Sequence, residues 1–156
     1  PDSDKQNPTN YVEGQFSMPF VAAVALRDGQ MTWDDYARHL KDSDTLALCR
    51  KIRTVVDDRA EAEFPANMSG VVEVVTTSRT FEDMVVTPKG EPANFLSAGE
   101  MRAKFDALVD PYLNDTSCGM LADAILSVED AKDIQAILAM TRPSSQEPLR
   151  AVHKGT

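Results

Sequence analysis

Histidine and cysteine are scarce in this sequence, at two each, and neither is clustered. Cys49 and Cys118 lie far apart, which excludes a disulfide framework and a cysteine-based metal site of ordinary spacing. His39 and His153 cannot build a histidine-rich metal centre within one chain. Two unpaired thiols fit a reducing compartment, cytoplasmic or, in a eukaryote, the mitochondrial matrix. Both are expected to pack in apolar surroundings. Basic residues are also in deficit: 16 Lys+Arg stand against 25 Asp+Glu, a formal net charge of −9. Neutralising a phosphate backbone needs a basic surplus or stripe, so nucleic acid is not expected as a partner. Anionic membrane surfaces are disfavoured for the same reason. Long apolar runs are missing, since Phe16 to Leu26 is about half the length of a membrane span of roughly 20 residues. The sequence begins with Pro1, and no basic segment followed by an apolar run marks a signal peptide. Walker A, dinucleotide-binding, zinc-protease and nucleophile-elbow motifs are all missing.

What is present describes one soluble folded domain, with 42% hydrophobic residues in 156. Pro1 to Asn10 is polar and reads as an arm or linker. Ser17-Met18-Pro19-Phe20 followed by Val21 to Arg27 reads as a helix, with Pro19 in its first turn and Gly29 at its end. Its residues are apolar on nearly every side, so it is expected to be buried almost all round. A second helix starts at Thr32, with Asp35 three residues on as a shortened capping box. A third begins after Asp42 or Ser43 and aligns Leu46, Cys49 and Ile52, or Ile52 and Val56. Ile52 to Val56 could equally be a strand. Asp57 to Ser69 reads as an acidic loop. Val71 to Thr77 and Phe81 to Thr87 flank a short turn and predict a β-hairpin. Ser97 and Glu100 form a capping box before Met101, Phe105, Leu108 and Val109, and Pro111 is expected to end or kink that helix. Shorter helices follow over Ser117 to Leu126 and Glu129 to Met140, with Ser127 as a cap between them, and residues 141–156 read as a disordered tail. The expected fold class is α+β: a small antiparallel hairpin packed with a buried apolar helix, followed by a C-terminal helical segment.

Chemistry-bearing clusters are few. His39, beside Arg38 and Lys41 on a short amphipathic helix, reads as a surface or capping side chain rather than a general base. Asp34-Asp35, Asp57-Asp58, Glu61/Glu63 and Glu82-Asp83 are adjacent pairs whose carboxylates diverge, as on solvated faces. Met18, Met31, Met101 and Met120 read as core filler. No self-sufficient catalytic site follows from these residues.

Two ordered stretches carry a resemblance. Gly14-Gln15-Phe16-Ser17-Met18-Pro19-Phe20, an alanine-rich helix and Asp28-Gly29 resemble the K-F-S-L-P-Y motif, helix and D-G of the MmgE/PrpD family. Pro88-Lys89-Gly90-Glu91-Pro92-Ala93-Asn94-Phe95-Leu96-Ser97, then Glu100 and Lys104-Phe105, resemble its P-K-G-D-P-x-N-x-L-S…E…K-F segment. The family includes 2-methylcitrate dehydratase, cis-aconitate decarboxylase and iminodisuccinate epimerase. The resemblance implies proton-transfer chemistry on small di- and tricarboxylates, with no metal or organic cofactor. It also implies a lid-like part over residues 1–95 and, over 96–140, helices that return to a separate helical domain. Catalytic residues would come mostly from that domain, and a homodimer or companion chain is the implied partner. The family's tyrosine falls at Phe20, which has no hydroxyl to exchange a proton. Its basic residue falls at Gln15, which cannot pair with a substrate carboxylate. Phe20 is accordingly expected in the core, and Ser17 as a helix cap.

Overall fold

Ser17 organises the first helices. In a computed structural model that describes residues 5–142, its extended backbone lets the side chain accept from the Phe20 N–H at 3.1 Å and donate to the Lys5 carbonyl. Residues 1–4, His153 and all but two residues of the expected disordered tail lie outside the described residues. Ser17 caps helix α2 (Met18–Asp28), whose first turn holds Pro19. Gly29 closes it at φ 73°, a conformation glycine adopts without steric cost, and its N–H reaches the Ala25 carbonyl at 2.8 Å. The stretch before Ser17 is not a free arm. Gln6 donates to the Ile52 carbonyl at 2.7 Å, and Pro8 is buried. A five-residue helix, α1 (Tyr11–Gln15), follows on an Asn10 cap; so short a helix shows no periodicity in sequence.

Helix α3 (Asp35–His39) is shorter than expected and starts three residues after Thr32, and only half of the expected box forms: the Asp35 carboxylate accepts from the Thr32 N–H at 2.6 Å and its hydroxyl at 3.0 Å, so that hydroxyl donates instead of capping the helix. Helix α4 (Ser43–Cys49) is capped by Asp42, which accepts from the Thr45 N–H at 2.9 Å. Helix α2 packs on α4, and Phe20, Ala23, Val24 and Cys49 form the buried core, with Met31, Tyr36, Leu40, Leu48 and Ile52 against it. Burial on α2 is one-sided rather than all round: Pro19, Phe20, Ala23 and Val24 face inward, while Met18 and Leu26 are exposed. Three short helices cannot enclose a fourth on every side. Gly14 lets α1 approach, since a Cβ there would stand 3.2 Å from the Tyr36 ring.

Residues beyond Ala98 group with this unit and add helices α6 (Ala98–Val109), α7 (Asp115–Leu126) and α8 (Ile134–Met140). Helix α6 ends two residues before Pro111, as expected. Asn114 caps α7, two residues earlier than the sequence suggested. The helix expected from Glu129 is instead a 3-10 turn at Val128–Asp130 and a fresh start after Asp133, whose carboxylate caps α8. Ser127 ends α7, its hydroxyl donating to the Asp123 carbonyl at 2.8 Å. Leu113, Cys118, Leu121 and Ile137 are the buried centre of this group. Both thiols are buried, as expected, and burial pushes both upward in pKa. Among the methionines read as core filler, Met18, Met101 and Met120 are exposed and Met31 packs on the core.

Residues Arg53–Ser97 form a second compact unit. Ile52 to Val56 is not a strand. The expected acidic loop contains helix α5 (Asp58–Glu63), which starts where Asp57 accepts from the Arg59 and Ala60 N–H groups. Acidic residues suit a helix N-terminus, and this local gain outweighs the lack of apolar periodicity. Strands β1 (Gly70–Val75) and β2 (Thr80–Val85) pair antiparallel around a Thr76–Arg79 turn, and the sheet is two-stranded among the described residues. Glu73 faces Glu82 directly, a like-charge pair that Arg59 relieves by reaching Glu82 at 2.7 Å. The Pro88–Ser97 segment closes on itself: Gly90 N–H reaches the Asn94 carbonyl, and the Asn94 amide donates to the Thr87 carbonyl, both at 2.9 Å. No helix among the described residues is long and apolar enough to cross a membrane.

Replacing Ser17 by Ala removes a helix cap and a buried hydrogen bond together. The expected loss is about 1–2 kcal/mol in urea unfolding. A loss under about 0.5 kcal/mol, the floor for a helix cap, would show that Ser17 does not organise this region.

Candidate functional site

The densest polar arrangement lies where α2, α3 and α4 meet. The short α3 is amphipathic, so its inner face carries Asp35 and His39 toward the C-terminal end of α2 and the N-terminal end of α4. His39 is 2% exposed and not a surface residue. Its Nδ1 stands 2.6 Å from Thr45 Oγ1, and its Nε2 stands 3.0 Å from Asp28 Oδ2. Both partners are remote in sequence, and together they satisfy a ring that burial would otherwise penalise. Thr45, fully buried, also donates to Asp42 Oδ2 at 2.6 Å and accepts from Arg27 Nη1 at 2.9 Å. Arg27 contacts Asp42 directly, while Arg38 spans Asp28 and Asp35, reaching Asp35 Oδ1 at 2.6 Å.

These contacts set the carboxylates. The His39 hydrogen bond, with Arg38 adding, holds Asp28 below the usual range. Burial raises Asp35, but the Thr32 N–H and Arg38 more than offset it. The Thr45 hydroxyl and N–H, with Arg27, bring Asp42 down to about 2. The Asp34 and Asp35 carboxylates diverge, but the pair is not a solvated face as expected: Asp35 is buried here while Asp34 is exposed.

Asp28, His39 and Thr45 have the connectivity of a carboxylate–imidazole–hydroxyl relay. The hydroxyl is enclosed and already has three partners, so it acts as a junction rather than a nucleophile. Asp28, Asp35 and His39 also bring ligand atoms within 4.8 Å of one another. Their oxygens are committed to Arg38, His39 and Thr32, and the guanidinium supplies the positive charge between the two carboxylates. Sequence reading missed this joint because its members span Arg27 to Thr45 and form no motif. The acidic cap at Asp42 was its visible trace.

Phe20 is fully buried, with its ring stacked on Tyr36 at a centroid separation of 5.9 Å. Tyr11 and Trp33 extend the cluster, at 5.8 Å each from Tyr36. Gln15 is exposed at the end of α1. The two residues are therefore in different environments, one inside an aromatic core and one in solvent. In the second motif, Gly90 and Asn94 shape the Pro88–Ser97 loop.

A family profile described as MmgE/PrpD C-terminal domain matches residues 2–130. The cis-aconitate decarboxylase-like protein oryM of Aspergillus oryzae is 27% identical over 139 residues, which cover 87% of this chain and 28% of that protein. The chain thus spans under a third of the length of the curated relative it matches.

The lowered Asp42 makes acid stability testable. A carboxyl depressed from 3.8 to about 2 contributes stability above pH 3.8 that is lost as pH falls toward 2. Urea unfolding from pH 5 to pH 2 is expected to show this loss, and Asp42→Asn to flatten that part of the profile. An unchanged profile would contradict the assignment. Phe20→Tyr places a hydroxyl in a closed aromatic core and is expected to cost about 1–3 kcal/mol in the same assay. A neutral or stabilising result would mean that the ring edge reaches a polar partner.

Proposed function

The chain belongs to the MmgE/PrpD family, and on that premise we propose that it is the lid-derived C-terminal part of a cofactor-independent lyase or isomerase for small di- or tricarboxylates, inactive by itself. The observation that carries the reading is the match over residues 2–130 together with the closed environment of Phe20. Proton transfer beside a carboxylate needs an acid or base open to substrate and positive charge to hold the substrate. Arg27 and Arg38 are bound to the chain's own carboxylates, and the Thr45–His39 pair is enclosed. Gln15 and Phe20 supply neither charge nor hydroxyl. The missing groups belong to a helical domain on the remaining part of a longer protein or on a companion chain. In this reading residues 1–95 are lid and residues 96–140 return to that domain. Two buried, unpaired thiols support a reducing compartment, cytoplasmic or mitochondrial.

The substitutions at Phe20 and Gln15 also favour a second reading, a non-catalytic dimerising or binding module derived from that lid. An activity assay separates the two. The chain is incubated with cis-aconitate, 2-methylcitrate or iminodisuccinate, alone and with a polypeptide carrying the family's helical domain, and followed by proton NMR. No turnover is expected alone, and turnover of one substrate is expected when both are present. Turnover by the chain alone would overturn the proposal. A stable symmetric dimer by light scattering, with no turnover in either mixture, would establish the second reading.

A further inference from the structure

Thr45 Oγ1 has one proton and two partners at 2.6 Å, Asp42 Oδ2 and His39 Nδ1. Each contact is short enough to require a hydrogen between the heavy atoms. If the hydroxyl donates to the ring, it faces the Asp42 carboxylate with lone pairs opposed and no proton between them. If it donates to Asp42, the ring must donate to it. Asp42 is ionised, held so by the Thr45 N–H and Arg27 as well, and has no proton to offer. Arg27 donates to the same hydroxyl oxygen at 2.9 Å, so that oxygen gives its proton to Asp42 and accepts from Arg27 and Nδ1–H. Across the ring, Nε2 faces Asp28 Oδ2, another ionised acceptor.

We propose that His39 sits in this joint as the imidazolium, donating through both ring nitrogens, and that loss of either proton weakens the joint between α2 and α4. Every packed element contributes to the balance around the ring. Helix α2 brings Arg27 and Asp28, α3 itself brings Asp35 and Arg38, and α4 with its cap brings Thr45 and Asp42. Helix α1 also packs on α3, and its charged residue, Glu13, is engaged by Thr9 at 2.7 and 2.8 Å. Three carboxylates meet two guanidinium groups, and the imidazolium brings the joint to neutrality. The latch is independent of any catalytic role of the chain.

Removing a ring proton deletes a donor, so raising the pH weakens the joint. The test is long-range proton–nitrogen NMR of the whole chain over its folded pH range, with His153→Gln separating the two histidines. Both His39 nitrogens are expected to be protonated, and their titration to coincide with a fall in Tm of about 2–8 °C, the shift expected for one hydrogen bond. His39→Gln is expected to abolish that step. One ring nitrogen unprotonated throughout the folded range would overturn the proposal, as would a Tm that stays flat while the ring titrates. The wild-type spectrum decides the matter if His39→Gln does not fold.

Discussion

Closure of α2 by its short neighbours depends on the Thr45 hydroxyl. It lies at the crossing of three helices and connects the end of α2, through Arg27 and His39, to the cap of α4. The helices around it have five to eleven residues, too few to be stable alone in water, so their stability comes from packing. The apolar centre they share is small, with Phe20 its largest member. A core of that size benefits from a buried polar joint only if every member is satisfied, and no buried side-chain polar atom is left unpaired among the described residues.

The same economy governs how the polar groups are used. A catalytic carboxylate, imidazole or hydroxyl must be open to substrate and hold its protons loosely. Here the His39 ring and the Thr45 hydroxyl are enclosed, and the carboxylates beside them are committed to neighbouring donors. Arg27 and Arg38 pair with Asp28, Asp35 and Asp42 in the first unit, and Arg59 pairs with Asp57 and Glu82 in the second. The two family motifs are carried here as structure: Ser17 caps, Phe20 fills, and Asn94 closes a loop.

Legibility in the sequence followed the range of the interaction. The Ser17 cap, the Gly29 stop, the Asp35 contact to the Thr32 N–H and the hairpin all depend on neighbours within a few residues, and all were readable. Helix α5 was not, because its nucleus is a cap and an acidic first turn rather than an apolar stripe. The break after Leu126 is readable at Ser127 but comes out too short, since a 3-10 turn delays the start of α8 from Glu129 to Ile134. His39 was misread because a helix-face argument sees Arg38 and Lys41 beside it, but not Asp28 and Thr45 across the joint.

The α+β class, the family and several helix caps rest on composition and short-range pattern, and the sequence carries them without further information. Long-range packing settles that Phe20 is sealed in an aromatic core, that α2 leaves one side open, and that His39 bridges two helices. Those outcomes depend on which remote side chains supply cover, charge or a hydrogen-bond partner, and linear spacing does not encode that.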